Sequence, residues 1–551
     1  MPPVSSESAS ADHSTPPRST PAKDGTIAVA PTSPSQRPTE VAVASASPGA
    51  QLYSRYCASC HGENGDGNGI AARFLYPRPR NFRDGQYRMV TAVNNLPTDE
   101  DLMNVVVRGM PGSAMFPVAG HLSEEDRKAL VAHVRGLTHQ GIEARVRKEA
   151  EEVGDVATPE DIEQRLASHG TPGAVLQMPR DLPAFDAASV ARGRELYVKG
   201  CATCHGDGGK GDGVQEQRDE FGLPIRPRDL TRGIFKGGRD TNQLYARIVL
   251  GIPGTPMPAS PALKPAEVGD LINYIHSLSD EATTARSEHK RTKILARKVN
   301  ETLPEVIPNG VWDAAPAADL VASPLWWRDH DDPDLRVKAV HDGTTLAILM
   351  SWRDASRNDQ SGGVLDFPDM AAVELFKGTA EPFLGMGTAD AAVDVWLWNA
   401  AAQADRKRYG DVDTAHPNMA VDMYPLEKPA EGGDQRAHAT ERQPREFLTA
   451  WAAGNLRSDP THPADATNLQ AKGFGSSTMR PRASQLVQAV GAYQDGRWTV
   501  VLRRPLTVAT DAGLSIAPGD SLSVAFALWE GSVRDRNGQK LVTIWHDVTV
   551  E

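Results

Sequence analysis

Leu130, Val131 and Val134 recur at helical spacing behind Ser123, Glu124 and Glu125, a capping signal that predicts a helix start. Pro265 and Glu267 open the same pattern ahead of Leu271, Ile272 and Ile275. Between them, the run Glu143-Ala144-Arg145-Val146-Arg147-Lys148-Glu149 predicts a solvated linking helix. From about Lys293 the pattern changes to short β-branched and aromatic runs separated by turns. Leu335 to Val340 alternates, His341-Asp342-Gly343 turns, and Leu346 to Met350 returns as the second arm of a hairpin. Further strands are predicted over Ala372–Phe376, Val393–Trp398, Trp498–Leu502, Ser521–Trp529 and Leu541–Val550, a spacing that suits a β-sandwich. Residues 1–47 are rich in Ser, Pro, Ala and Thr and predict a disordered leader, and 403–460 predict a long irregular insertion.

The helical half is a repeat. Leu52-Tyr53 leads to Cys57-Ala58-Ser59-Cys60-His61-Gly62, and Leu196-Tyr197 leads to Cys201-Ala202-Thr203-Cys204-His205-Gly206. Arg78-Pro79-Arg80-Asn81-Phe82 answers Arg226-Pro227-Arg228-Asp229-Leu230, and Gly109-Met110-Pro111-Gly112 answers Gly251-Ile252-Pro253-Gly254. The domain reading is 1–47 leader, 48–139 first repeat, 140–183 charged helical linker, 184–281 second repeat and 293–551 sheet domain.

Two cysteines one helical turn apart, followed at once by histidine, suit covalent attachment of a c-type haem: two thioether bonds and an axial imidazole. Cys57, Cys60 and His61 form one such set, and Cys201, Cys204 and His205 the other. A four-thiolate zinc site or a redox dithiol is the competing chemistry, disfavoured by the adjacent histidines and the whole-domain repeat. Met115 and Met257 stand 54 and 52 residues beyond these histidines in corresponding loops and are the expected sixth ligands; Met110 competes in the first copy, but Ile252 takes its place in the second. Filled His/Met coordination suits electron transfer rather than substrate binding. Arg80 and Arg228 recur in step and are candidate partners for haem carboxylates. Residues 48–138 and 184–279 resemble class I cytochrome c domains, which implies a small helical fold around each haem.

The C-terminal region carries Pro382-Phe383-Leu384-Gly385-Met386-Gly387, Val393-Asp394-Val395-Trp396-Leu397-Trp398, Gly473-Phe474-Gly475, Asp495-Gly496-Arg497-Trp498, Ala525 to Gly531 and Arg536-Asn537-Gly538-Gln539-Lys540. In that order they resemble the ethylbenzene dehydrogenase gamma-subunit family, of the type II dimethyl sulfoxide reductase systems. The resemblance implies a β-sandwich holding a non-covalent haem b between a methionine, matched by Met386, and a lysine, for which Lys540 is the first candidate and Lys472 the alternative. The fold class expected is therefore multidomain, with two all-α cytochrome c domains followed by a mainly-β sandwich.

All four cysteines lie in the two motifs, leaving none for a disulfide framework, and the formal net charge of −12 disfavours nucleic acid. No run reaches the ~18 apolar residues of a transmembrane segment. The expected function is electron transfer between the molybdopterin and iron–sulfur subunits of a periplasmic oxidoreductase and soluble or membrane cytochromes. A stand-alone haem enzyme, peroxidase or reductase, and a haem or redox sensor are the alternatives. Met1-Pro2-Pro3-Val4-Ser5 does not begin an export signal, so the periplasmic expectation rests on the haem c chemistry.

Overall fold

The computed structural model describes residues 47–118, 120, 122–303, 310–328, 334–379, 381–382, 385–405, 416, 418, 455–456 and 465–551. All but Ser47 of the leader expected over 1–47, Phe383 and Leu384 of the methionine motif, and nearly all of the expected insertion lie outside them.

The first helical domain contains α1 (Pro48–Tyr56), α2 (Ala58–His61), α3 (Asp99–Arg108) and α4 (Glu124–Glu152). Ser123 accepts from the Asp126 amide and Asp126 answers at the Ser123 amide, so the capping box forms one residue later than the acidic pair that predicts it. After α5 (Pro159–His169), the second domain repeats the plan with α6 (Ala187–Gly200), α7 (Ala202–His205), α8 (Thr241–Leu250) and α9 (Pro265–Ser277). In each domain the first and last long helices cross over a glycine. An added Cβ on Gly49 falls 2.8 Å from the Ala129 carbonyl carbon, and one on Gly193 falls 2.6 Å from that of Asp270. These crossings set where the cysteine-bearing turns α2 and α7 lie.

The charged linker departs from a solvated helix. It continues α4 without a break to Glu152, because Ile142 and Val146, four residues apart inside the charged run, are buried. Arg165 of α5 pairs with Glu149 at 3.0 Å, and the chain then returns to the first domain, where Val93 donates to Ala174 and Leu176 to Thr91. The linker thus clamps the first domain. A short hairpin, β1 (Gln217–Arg218) and β2 (Pro224–Ile225), is inserted in the second domain after the cysteine motif.

After α10 (Glu281–Ser287), the remaining chain builds one sheet from β3 (Lys293–Lys298), β4 (Ala318–Val321), β5 (Ser323–Pro324), β6 (Asp334–His341), β7 (Thr345–Arg353), β8 (Met370–Phe376), β9 (Val393–Asn399), β10 (Ala466–Ala471), β11 (Thr478–Met479), β12 (Gln488–Gln494), β13 (Arg497–Pro505), β14 (Ser521–Trp529), β15 (Leu541–Val542) and β16 (His546–Val550), with α11 (Ala400–Asp405) following β9. The path runs β11-β10-β9-β8-β14-β16-β3-β6-β7-β13-β12, antiparallel except where β3 pairs with β16 and β6. The sheet folds over so that β9 faces β13: Trp398 meets Trp498 edge-on at 4.9 Å, and Asp394 accepts from Arg504 at 2.5 Å. One continuous sheet thereby makes a sandwich around Trp352, Trp396, Trp398, Trp498 and Phe526.

Period-2 alternation normally leaves the outer face of such a sheet polar. Here the outward positions of β8, β9, β10 and β14, including Ala372, Val395, Leu397, Leu469, Ala525, Ala527 and Trp529, are apolar as well. That face needs a cover, and the first helical domain supplies it through Phe74, Leu75 and Phe116.

Candidate functional site

The first cytochrome-like pocket lies beside α2. Its walls include Cys57, Cys60, His61, Met110, Met115, Leu102, Val106 and Leu130. His61 Nδ1 donates to the Arg80 carbonyl at 2.9 Å, which fixes the ring and leaves Nε2 as the free lone pair, while Phe82 stacks on the imidazole at 4.4 Å. Burial holds the His61 pKa below its ordinary value, favouring the neutral form that binds metal. Burial pushes the Cys57 and Cys60 thiols up to about 12, the reverse of the depressed thiol of a redox dithiol. The two cysteine pairs lie in separate domains, and no group of three or more His, Cys, Asp or Glu residues among the described ones gathers as a metal site. Both observations count against the zinc and dithiol alternatives and fit a haem held by two thioethers and an imidazole.

The second domain reproduces the local frame. Tyr53 donates to the Gly62 carbonyl and Tyr197 to the Gly206 carbonyl, both at 2.8 Å. The methionine loops close alike: Met110 N donates to Met115 O, and Ile252 N to Met257 O. Gly109 and Gly251 sit at φ 68° and 71° where these carbonyls pass close by, so a side chain there is excluded twice over. Met115 lines the same pocket as His61; Met110 does too, so the first copy holds both thioethers near the site. Met257 is half-buried in its corresponding loop. His205 differs from His61 in that its buried Nδ1 has no hydrogen-bond partner among the described residues.

A further pocket occupies the apolar outer face of the sandwich. Lys540 Nζ lies 4.0 Å from Met386 Sδ, although the residues are 154 apart in sequence. On the scale of zinc–nitrogen and zinc–thiolate lengths, two metal–ligand bonds of ~2.0–2.3 Å end to end span about 4.3 Å. The two side chains are therefore close enough that both could hold one metal ion. Met386 has φ 80°, between Gly385 at 123° and Gly387 at 72°, a left-handed conformation costly for a non-glycine residue and held by the Gly473 amide on the Met386 carbonyl. Lys540 follows the Arg536–Gln539 turn, which is anchored by Trp529 Nε1 on the Asn537 carbonyl at 3.1 Å, and its ammonium sits over the Trp529 ring. Burial pulls the Lys540 pKa down, partly opposed by Glu374, which favours the neutral amine that can bind a metal. Lys472, the alternative, is exposed.

Ala372, Ala525 and Ala527 floor the pocket and Phe474 closes its rim, leaving about 1780 Å³ of space including its mouth. Small floor residues beneath a two-ligand axis fit a flat macrocycle. Sequence reasoning missed Glu374, whose carboxyl faces this pocket, accepts from the Met386 amide and is pushed up to about 7 by burial. A lone acidic residue within Ala371-Ala372-Val373-Glu374-Leu375 is the signal that marks it.

Arg80 and Arg228 meet more than their own domains. Arg80 pairs with Glu220 at 3.0 Å and donates to the Gly254 carbonyl in the second methionine loop, while Arg228 packs against Gly112 in the first.

Residues 44–134 match the family described as cytochrome C oxidase, cbb3-type, subunit III, and residues 190–279 match the family described as cytochrome c. Residues 309–541 match the ethylbenzene dehydrogenase family. A protein of Haloferax mediterranei provisionally named a respiratory nitrate reductase heme subunit is 24% identical over 252 residues, 45% of this chain and 68% of that one. The dimethylsulfide dehydrogenase subunit gamma of Rhodovulum sulfidophilum is 25% identical over 268 residues, 44% of this chain and 79% of that one. The chlorate reductase subunit gamma of Ideonella dechloratans is 42% identical over 77 residues, 14% of this chain, and the match spans only 31% of that subunit. The chain thus joins two haem-binding cytochrome c domains, the first matching the cbb3 subunit III model, to a C-terminal region that matches the ethylbenzene dehydrogenase model.

Proposed function

We propose that this chain is the gamma-type, haem-carrying electron-transfer subunit of a periplasmic molybdopterin oxidoreductase, holding two covalent haems c and one non-covalent haem b. The observation that carries this reading is a shared wall. Cys60, Leu75 and Ala114 line both the first cytochrome pocket and the Met386–Lys540 pocket. Cys60 is a thioether position, so a group attached there borders the second cavity directly.

Haem in these pockets supplies reversible one-electron chemistry. The residues do the rest. His61 and Met115 would hold one haem, His205 and Met257 the second, and Met386 and Lys540 the third. Iron so held would serve electron transfer rather than substrate binding. Phe74, Leu75 and Phe116 exclude water from the sheet-side pocket. The gamma and heme subunit names among the relatives support a molybdopterin and iron–sulfur partner, with a soluble or membrane cytochrome at the other end. No helix among the described residues is long and apolar enough to cross a membrane, and thioether attachment of haem supports a periplasmic location.

The test is spectroscopic and kinetic on the full haem-loaded chain. The reading expects low-spin haem throughout, complete reduction by reduced methyl viologen, complete reoxidation by ferricytochrome c, and no turnover of hydrogen peroxide. A high-spin haem that consumes peroxide catalytically overturns it in favour of an enzyme.

A further inference from the structure

The seam between the two cytochrome c domains gathers cations from both. Lys236 belongs to the second domain but lines the pocket of the first, together with Arg80 and Arg88. Arg228 reaches the first domain's methionine loop at Gly112, and Arg80 reaches the second domain's loop at Gly254. The contacts are reciprocal, and so are the positions. Arg80 and Arg228 are separated by 228 − 80 = 148 residues, and Arg88 and Lys236 by 236 − 88 = 148. Two pairs of repeat-equivalent cations therefore gather at the seam between the domains.

Glu220, at the tip of the β1–β2 hairpin, pairs with Arg80. Asp219 beside it is engaged by the Phe221 and Leu223 amides of its own turn. Burial, with Arg88, Arg228 and Arg80 close by, pushes the Lys236 ammonium down to about 7. Burial and Arg80 likewise bring Arg88 down to about 10, with Glu220 and Asp219 opposing. Cations so crowded fit a site built for carboxylates that arrive with a ligand.

We propose that Arg80, Arg88, Arg228 and Lys236 form one shared anion site at the seam between the domains, which takes haem carboxylate groups. Lys236, contributed by the second domain, then acts on the first domain's haem beside Arg80 and Arg88. They are positioning and potential-setting residues. The inference rests on the reading of both pockets as haem c sites.

The experiment uses the full chain with Cys201→Ala and Cys204→Ala, which leaves one covalent haem, in the first domain. Its midpoint potential is measured by spectroelectrochemical titration with and without Lys236→Met, with Lys236→Arg as the charge-retaining variant and Lys128→Met as a remote control. A cation beside the haem carboxylates favours the less positive ferrous state. Lys236→Met is expected to shift the reduction equilibrium about tenfold toward ferric haem, a fall of about 59 mV for one electron. Lys236→Arg restores the parent value and Lys128→Met leaves it unchanged. An unchanged midpoint in Lys236→Met with haem fully attached overturns the proposal, as does equal haem loss in Lys236→Met and Lys236→Arg. Absence of covalent haem from the parent variant instead overturns the haem c reading on which the inference rests.

Discussion

Gly193→Ala and Gly136→Ala are the same substitution in helix interiors, and the structure assigns them opposite signs. Glycine in a helix costs ~1 kcal/mol relative to alanine, so each change starts with that gain. Gly136 in α4 has nothing within 4 Å of an added Cβ, and its variant is expected to keep the gain of about 1 kcal/mol. At Gly193 the methyl falls 2.6 Å from the Asp270 carbonyl carbon and 2.9 Å from the Tyr274 Cβ, both on α9. Ordinary contact needs ~3.5–4.0 Å, so the helices must separate by about 1 Å at their closest point. Overpacking of this kind costs ~1–3 kcal/mol, which leaves Gly193→Ala net destabilising by up to about 2 kcal/mol. The displacement also reaches function, because α6 leads straight into Cys201 and His205. Denaturant unfolding of the haem-free chain reads the first effect, and covalent haem per chain reads the second. Gly193→Ala should be less stable than Gly136→Ala and should lose haem c from the second domain alone. Equal stability with full haem content would refute the claim that this crossing positions the second haem site.

Lys540→Ala should remove the acid-extractable haem while both covalent haems remain, whereas Lys472→Ala, on the surface, should change neither; pyridine haemochrome spectra before and after extraction decide this. His546 is 2% exposed, accepts from the Thr292 amide through Nδ1, and is held down to about 4 by burial and the nearby Arg291 charge. Its folded pKa lies below the unfolded value of ~6.5, so the unfolded state binds the extra proton, and stability falls as pH drops from about 6.5 to about 4, by ~3 kcal/mol at most from this group. His546→Gln should flatten that part of the stability profile measured by urea unfolding, and an unchanged slope would show that His546 is not the group responsible.

The parts of the molecule that chemistry fixes locally were legible in the chain. A cysteine, two residues, a cysteine and a histidine define the candidate thioether set within five positions, and the repeated Pro-Gly loops marked Met115 and Met257 as candidate ligands. The strands of strong β-branched and aromatic character were legible too; β14 runs from Ser521 to Trp529 as the alternation predicts. β3, β10 and β12 were not, because Lys293-Ile294-Leu295-Ala296-Arg297-Lys298 and Ala466-Thr467-Asn468-Leu469-Gln470-Ala471 have weak intrinsic strand preference and are held by their neighbours in the sheet. The buried stripe of Ile142 and Val146 was hidden in a run of charges. Above all, sequence gave no means of placing one domain against another. That Cys60 borders the Met386–Lys540 cavity, and that Lys236 lines a pocket in the other cytochrome domain, depend on contacts between elements far apart in the chain.

The central claim is one polypeptide with three haems of two kinds. It is tested most directly by a pyridine haemochrome spectrum of the full chain matured with haem, recorded before and after acid–acetone extraction. The account predicts two covalent haems c and one extractable haem b per chain. Two covalent haems with nothing extractable would contradict it, because the Met386–Lys540 cavity would then hold no cofactor and the shared wall at Cys60 would join nothing.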